Sequence, residues 1–186
     1  MDKRKFALTM NATAITTSAV TVLFLCIPYR QTSWWLTCVL SFGTTAYHFL
    51  MRLAVGYLLL KLTNYDFDYR RPWFRPRAWE PAFYEKLNIR HWKKNLPTYA
   101  PEQFSLKDNS LHRVIQNMCG AELVHETIMV LSFLPLLAIP FFGAFPVFLV
   151  TSLLAALYDS IFVLAQRYNR PRMIRIYEKQ EAHAHE

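Results

Sequence analysis

Apolar residues run nearly unbroken over four stretches of this chain, and polar residues collect between the second and the third. The stretches are Phe6 to about Pro28, about Trp34 to Leu60, about Ala121 to Phe142 and about Phe145 to Ala165. Each is close to the ~20 residues that carry an α-helix across about 30 Å of hydrocarbon. The pattern predicts an all-α integral membrane protein: a single membrane domain over residues 1–186, with four transmembrane helices and an interfacial helical segment, residues 63–118, between the second and third. Met1 to Lys5 followed by an apolar run resembles the start of a signal peptide, but Asn11 and repeated threonines dilute that run and no small-residue cleavage site follows. A retained first helix is expected.

The segment between the second and third stretches is too rich in rings to be a disordered loop. Arg71-Pro72-Trp73-Phe74-Arg75-Pro76 and Trp79-Glu80-Pro81-Ala82-Phe83-Tyr84 alternate aromatic and charged side chains, which suits a headgroup layer, with rings inward and guanidinium groups on phosphates. A short helix from about Glu80 to Lys94 is predicted, then an irregular turn at Leu96 to Tyr99, then a lead-in helix from Ser110 to Cys119.

Charge decides the orientation. Of the 21 Lys and Arg residues, eleven lie from Lys61 to Arg113 and five after Ala165, whereas Arg30 is the one base between the first two stretches. The asymmetry predicts that both termini and the central segment are cytoplasmic and that Pro28–Ser33 and Pro140–Pro146 face outward. The 53% hydrophobic and 16% aromatic content fits this membrane reading, and the net charge of +8 flanks the spans instead of lining a soluble core. The bases therefore read as topology signals and contacts to membrane lipids, and no nucleic-acid partner is expected. Cys26, Cys38 and Cys119 lack the spacing of a disulfide framework or a structural zinc site.

The chemistry is concentrated at Gly120-Ala121-Glu122-Leu123-Val124-His125-Glu126, where three ionisable side chains stand at the mouth of the third stretch. At i, i+3 and i+4, Glu122, His125 and Glu126 share one helical face, and ionisable groups at such a place are costly unless paired or in use. His125 is the candidate general base, Glu122 the candidate for holding its tautomer, and Glu126 a second candidate for that role. The bland alternative is that Glu122 and His125 only satisfy each other and the helix N-terminus. A metal held by Glu122, His125 and either His91 or His48 is a further possibility, although the order Glu-x-x-His-Glu departs from His-Glu-x-x-His and no metal site is assigned.

Two other polar blocks fall on the same side of the bilayer. They are His91-Trp92-Lys93-Lys94-Asn95-Leu96-Pro97 and Gln166-Arg167-Tyr168-Asn169-Arg170-Pro171-Arg172. Together with Glu122 to His125 they resemble the glycosyl-4,4'-diaponeurosporenoate acyltransferase family, bacterial membrane enzymes that place a fatty acyl chain on the sugar of a carotenoid glycoside. The resemblance runs from about Tyr84 to Arg172 and is strongest in the Arg-Tyr-Asn-Arg-Pro-Arg run. It implies an acyltransferase of the bacterial cell membrane. No cofactor is expected beyond an acyl thioester co-substrate, acyl-CoA or acyl carrier protein, and the acceptor is a lipid or glycolipid. His91, Trp92, Lys93, Lys94, Asn169, Arg170 and Arg172 are the expected substrate-binding residues, with Asn169 on a carboxylate or substrate and the bases on phosphate or in structural pairs. Singly, the three arginines of the last block are what the positive-inside rule alone supplies.

Signatures of other acyl-transfer chemistry are missing. The His-x-x-x-x-Asp pattern fails at His91, His112 and His125, where Leu96, Asn117 and Val130 stand in place of the acid, and no Gly-x-Ser-x-Gly elbow occurs. Direct attack in a ternary complex is therefore expected in place of an acyl-enzyme. A membrane hydrolase or metal-dependent lipid-modifying enzyme using the same site is the alternative, and a lipid-binding or transport subunit is another. Within the second stretch, Arg52 lies one turn after His48 and is expected to pair with Asp159 of the fourth.

Overall fold

The computed structural model describes residues 3–26, 33–64 and 66–184, and among them every regular element is helical. The elements are α1 (Lys3–Cys26), α2 (Ser33–Leu62), α3 (Glu80–Lys86), α4 (Ile89–Trp92), α5 (Leu111–Leu131), α6 (Ile139–Phe142) and α7 (Phe145–Ala184), with single 3-10 turns between them. Four helical stretches among the described residues are long and apolar enough to cross a membrane: Lys5–Cys26, Trp34–Leu62, Leu111–Phe142 and Phe145–Ala184. The all-helical membrane architecture predicted from the sequence is present, with the short helices between the second and third stretches. The outward turn expected at Pro28–Ser33 lies, except for Ser33, outside the described residues.

The threonines that dilute the first stretch are accommodated within the helix. Thr9, Thr13 and Thr17 hydroxyls donate to the carbonyls of Lys5, Thr9 and Thr13 at 2.7, 2.8 and 2.7 Å, so these three hydroxyls are satisfied within the helix. α1 packs on α2, and α2 packs on the antiparallel pair α5 and α7 that forms the centre.

Two element boundaries differ from the hydropathy reading, each for a local reason. The lead-in helix and the third stretch are one helix, α5. It begins where Ser110 Oγ accepts from the Arg113 amide at 3.2 Å and stops at Leu131, short of Phe142. Pro135 has no N–H to offer the Leu131 carbonyl four residues back, and the Tyr47 hydroxyl of α2 takes that place at 2.8 Å. A 3-10 turn (Leu134–Ala138) and α6 complete the stretch, and Gly143 at φ 71° closes it, a left-handed conformation that suits glycine. The fourth helix does not end near Ala165: α7 continues through Pro171 to Ala184. Met173, Ile174 and Tyr177 of that extension pack against a buried cluster of Phe67, Tyr69, Phe74, Ile115 and Cys119, which holds the helix despite the proline.

That cluster positions the central segment. Gly120 lets Phe67 approach, since a Cβ there would stand 2.7 Å from Phe67 Cε2 and 3.0 Å from Leu60 Cδ2. The segment is thereby drawn across the ends of α2, α5 and α7, directly above Glu122.

Candidate active site

Polar side chains of α2, α5 and α7 meet in two layers along α7. In the deeper layer Arg52 Nε donates to Asp159 Oδ2 at 3.0 Å, while its other nitrogens reach the carbonyls of His48 and Ala155 at 3.1 and 3.2 Å. The expected Arg52–Asp159 pair is formed. The second oxygen of Asp159, Oδ1, lies 2.9 Å from His125 Nδ1. A carboxylate only accepts, so the ring donates through Nδ1 and leaves Nε2 as the acceptor. Phe162 stacks on the imidazole with ring centres 4.7 Å apart and planes 11° apart. Asp159 is 1% exposed and His125 24%, so the carboxylate is enclosed while the ring has an open edge.

The upper layer lies about 12 Å along α7, eight residues of helical rise. Here Arg167 Nη1 donates to Glu122 Oε1 at 2.6 Å and Arg167 Nη2 to Glu80 Oε1 at 2.6 Å. The other oxygen of Glu122 receives Arg170, whose Nη2 also reaches the Phe74 carbonyl at 2.7 Å. Arg167 additionally reaches the carbonyls of Trp73 and Arg75, each at 3.2 Å. Glu80 takes its other bond from the Tyr84 hydroxyl at 2.9 Å, and burial followed by that bond holds the phenol above its ordinary pKa. Two guanidinium groups thus tie the central segment to α5 through carboxylates that lack contact with solvent.

The expected His125–Glu122 partnership is therefore distributed differently. Glu122 faces the two arginines and Asp159 faces His125, because antiparallel packing puts Glu122 level with Arg167 and Arg170 and His125 level with Asp159. Arg170, expected among the substrate-binding bases, is 1% exposed and committed to Glu122. Glu126, expected as a second partner for His125, instead accepts from Trp73 Nε1 at 2.8 Å. It heads a groove of about 320 Å³ that runs along α5 between Trp73, Leu123, Thr127, Val130 and Leu131.

Of the other expected substrate residues, Lys93 donates to Asn169 Oδ1 and lies 4.5 Å from the centre of the Tyr168 ring. Trp92 Nε1 is held by the Leu87 carbonyl at 2.9 Å, and His91, Lys94 and Arg172 are exposed. Among the described residues no three His, Cys, Asp or Glu side chains gather as metal ligands. The sequence reading missed Arg167 as a clamp on Glu122, missed Glu80 as the second carboxylate on Arg167, and missed Asp159 as the partner of His125. The signal for Asp159 was available, since it is the one acid in the fourth stretch. For Glu80 no signal separates it from its charged neighbours.

Residues 70–179 match the family described as glycosyl-4,4'-diaponeurosporenoate acyltransferase. The match covers more than half of the chain and contains both polar layers except Arg52. The chain belongs to that family. No curated protein and no solved structure matches it. As a member of the glycosyl-4,4'-diaponeurosporenoate acyltransferase family it is an acyltransferase, and its four candidate spans make it a multi-pass membrane protein.

Proposed function

We propose that this acyltransferase moves a fatty acyl group from an acyl thioester, acyl-CoA or acyl carrier protein, to a sugar hydroxyl of a carotenoid glycoside or related lipid, with His125 as general base. The hydrogen bond from His125 Nδ1 to Asp159 carries this reading. It fixes the tautomer that presents Nε2, and the carboxylate stabilises the imidazolium that forms. Arg52 holds Asp159 in place, and the Phe162 ring fixes the plane.

The acceptor hydroxyl gives its proton to His125 Nε2 as its oxygen attacks the thioester carbonyl. The C–O bond forms, the C–S bond breaks, and the departing thiolate takes the proton back from the imidazolium. Glu122 acts on this site by position: clamped by Arg167 and Arg170, it holds the middle of α5 against α7 and so aligns His125 with Asp159. The groove headed by Glu126 is an apolar channel of the right character for the acyl chain.

The chain is read as a single membrane domain of a bacterial cell membrane with both termini and the 63–118 segment cytoplasmic, which the clustering of bases around the upper layer supports. The test is turnover of a radiolabelled acyl thioester with a glycosylated carotenoid by protein purified in detergent. Wild type should form the ester, and His125→Ala should lose about 10²–10⁴-fold in turnover. A His125→Ala protein of native stability with wild-type turnover rejects the assignment.

A further inference from the structure

We infer that Arg90, Lys93 and Arg172 form a docking site for the phosphate-bearing handle of the acyl thioester donor. The inference rests on the acyl-thioester reading above and adds the place where the donor's charge is held.

Three guanidinium groups inside the bundle face carboxylates: Arg52 faces Asp159, Arg167 faces Glu80 and Glu122, and Arg170 faces Glu122. The bases at the junction of α4 with α7 do not. Among the described residues none of Arg90, Lys93 and Arg172 is ion-paired with an acid. The partners of the Lys93 ammonium are neutral, the Asn169 amide oxygen and the face of Tyr168. These orient the charge without cancelling it. Arg90 stands three residues before Lys93, and Arg172 three residues after the Asn169 that Lys93 contacts, so each arginine lies about one helical turn from the ammonium; in keeping with that, burial and then the charges of Arg172 and Arg90 hold Lys93 below the usual lysine range. An anion seated among them relieves that repulsion. Arg90 and Arg172 are exposed, which leaves the site open to the aqueous side.

The position also fits the donor. Asn169 and Arg172 lie ten and thirteen residues beyond Asp159 on the same helix, about 15 to 20 Å of axial rise. A ligand gripped there by phosphate reaches His125 only through a long extended arm. Phosphopantetheine thioesters have that layout, with phosphate at one end and the acyl sulfur at the other. A phospholipid headgroup shares the phosphate chemistry but not the arm.

The experiment uses full-length protein in nanodiscs of neutral phosphatidylcholine, and compares wild type with Lys93→Gln/Arg172→Gln and with Arg90→Gln. Coenzyme A itself is the binding probe, followed by calorimetry. Acyl-CoA and the phosphate-free S-acyl-N-acetylcysteamine are the two donors in turnover assays. We expect coenzyme A binding at least 10-fold weaker in the double variant and severalfold weaker in Arg90→Gln. KM for acyl-CoA should rise by a similar factor with kcat within about twofold. KM for the phosphate-free donor should not change, and Arg172→Lys should retain most of the affinity. An equal loss with both donors, or unchanged coenzyme A binding in a folded double variant, overturns the proposal. So does a defect seen only as lost dependence on anionic lipid added to the nanodiscs, which would make this a headgroup site. Failure of wild type to turn over either donor, with coenzyme A binding still lost in the variants, would reject the acyl-transfer reading and keep the anion site.

Discussion

Arg170 and Glu122 form an ion pair in which neither side chain is more than 1% exposed. One partner comes from the far half of α7 and the other from the middle of α5, and Arg167 adds a second guanidinium from one turn earlier. Withdrawing a single member of such a group leaves a buried charge uncompensated, which typically costs about 3–5 kcal/mol. Glu122→Ala is expected to lower stability by that order, with a clear fall in the melting temperature of the detergent-solubilised protein. A Glu122→Ala protein that melts like wild type would show that the clamp contributes nothing.

Arg52 and Asp159 separate stability from chemistry. Arg52→Leu and Asp159→Leu should each destabilise, because each strands its partner inside the membrane-spanning bundle. The double variant should recover much of the stability and none of the activity, since His125 still lacks its carboxylate. A double variant with activity restored would remove Asp159 from the reaction. Thermal melts and turnover on the same preparations read both effects.

Gly120 sets how closely the central segment approaches. A Gly120→Ala methyl meets the Phe67 ring at 2.7 Å with Leu60 on its other side, so the ring must move within a packed cluster at a cost of about 1–3 kcal/mol. The expected outcome is a lower melting temperature in Gly120→Ala, largely relieved by combining it with Phe67→Leu. Equal melting of Gly120→Ala and wild type would count against the packing described.

The groove below Trp73 predicts chain-length preference. Thr127→Phe and Val130→Trp place bulk on its wall, and both should shift the donor profile toward shorter acyl chains with little loss for short ones. Profiles measured over a series of acyl-CoA lengths decide this. An unshifted profile in both variants would place the acyl chain elsewhere.

How much of this was legible in the sequence follows from which forces act locally. The four spans were readable because hydrocarbon imposes length and composition on each helix separately. The Arg52–Asp159 pair was readable because an intramembrane charge requires a partner and few were on offer. The Glu122 clamp was not, because its partners depend on the register of α5 against α7, and a one-turn shift would have joined Glu122 to other residues. The run of α7 through Pro171 was hidden for a related reason: a proline argues against continuation, and only the packing of Met173, Ile174 and Tyr177 on the Phe67 cluster overrides it. The break of α5 at Leu131 was written in Pro135, but the hydroxyl that makes the break tolerable belongs to Tyr47, 84 residues away.

The Arg52–Asp159 pair also constrains how the protein is made. Its two members are 107 residues apart, so α2 enters the membrane carrying an arginine whose counter-charge has yet to be synthesised. A charged residue at the centre of a helix opposes insertion by about 2.5–3.5 kcal/mol, and the apolar remainder of α2 must outweigh that until α7 arrives. Between the two events the nascent chain holds an unmatched charge in the bilayer. Chains that stall or lose their last helix would keep that charge unmatched, a chemical mark by which membrane quality control could tell unfinished copies from finished ones.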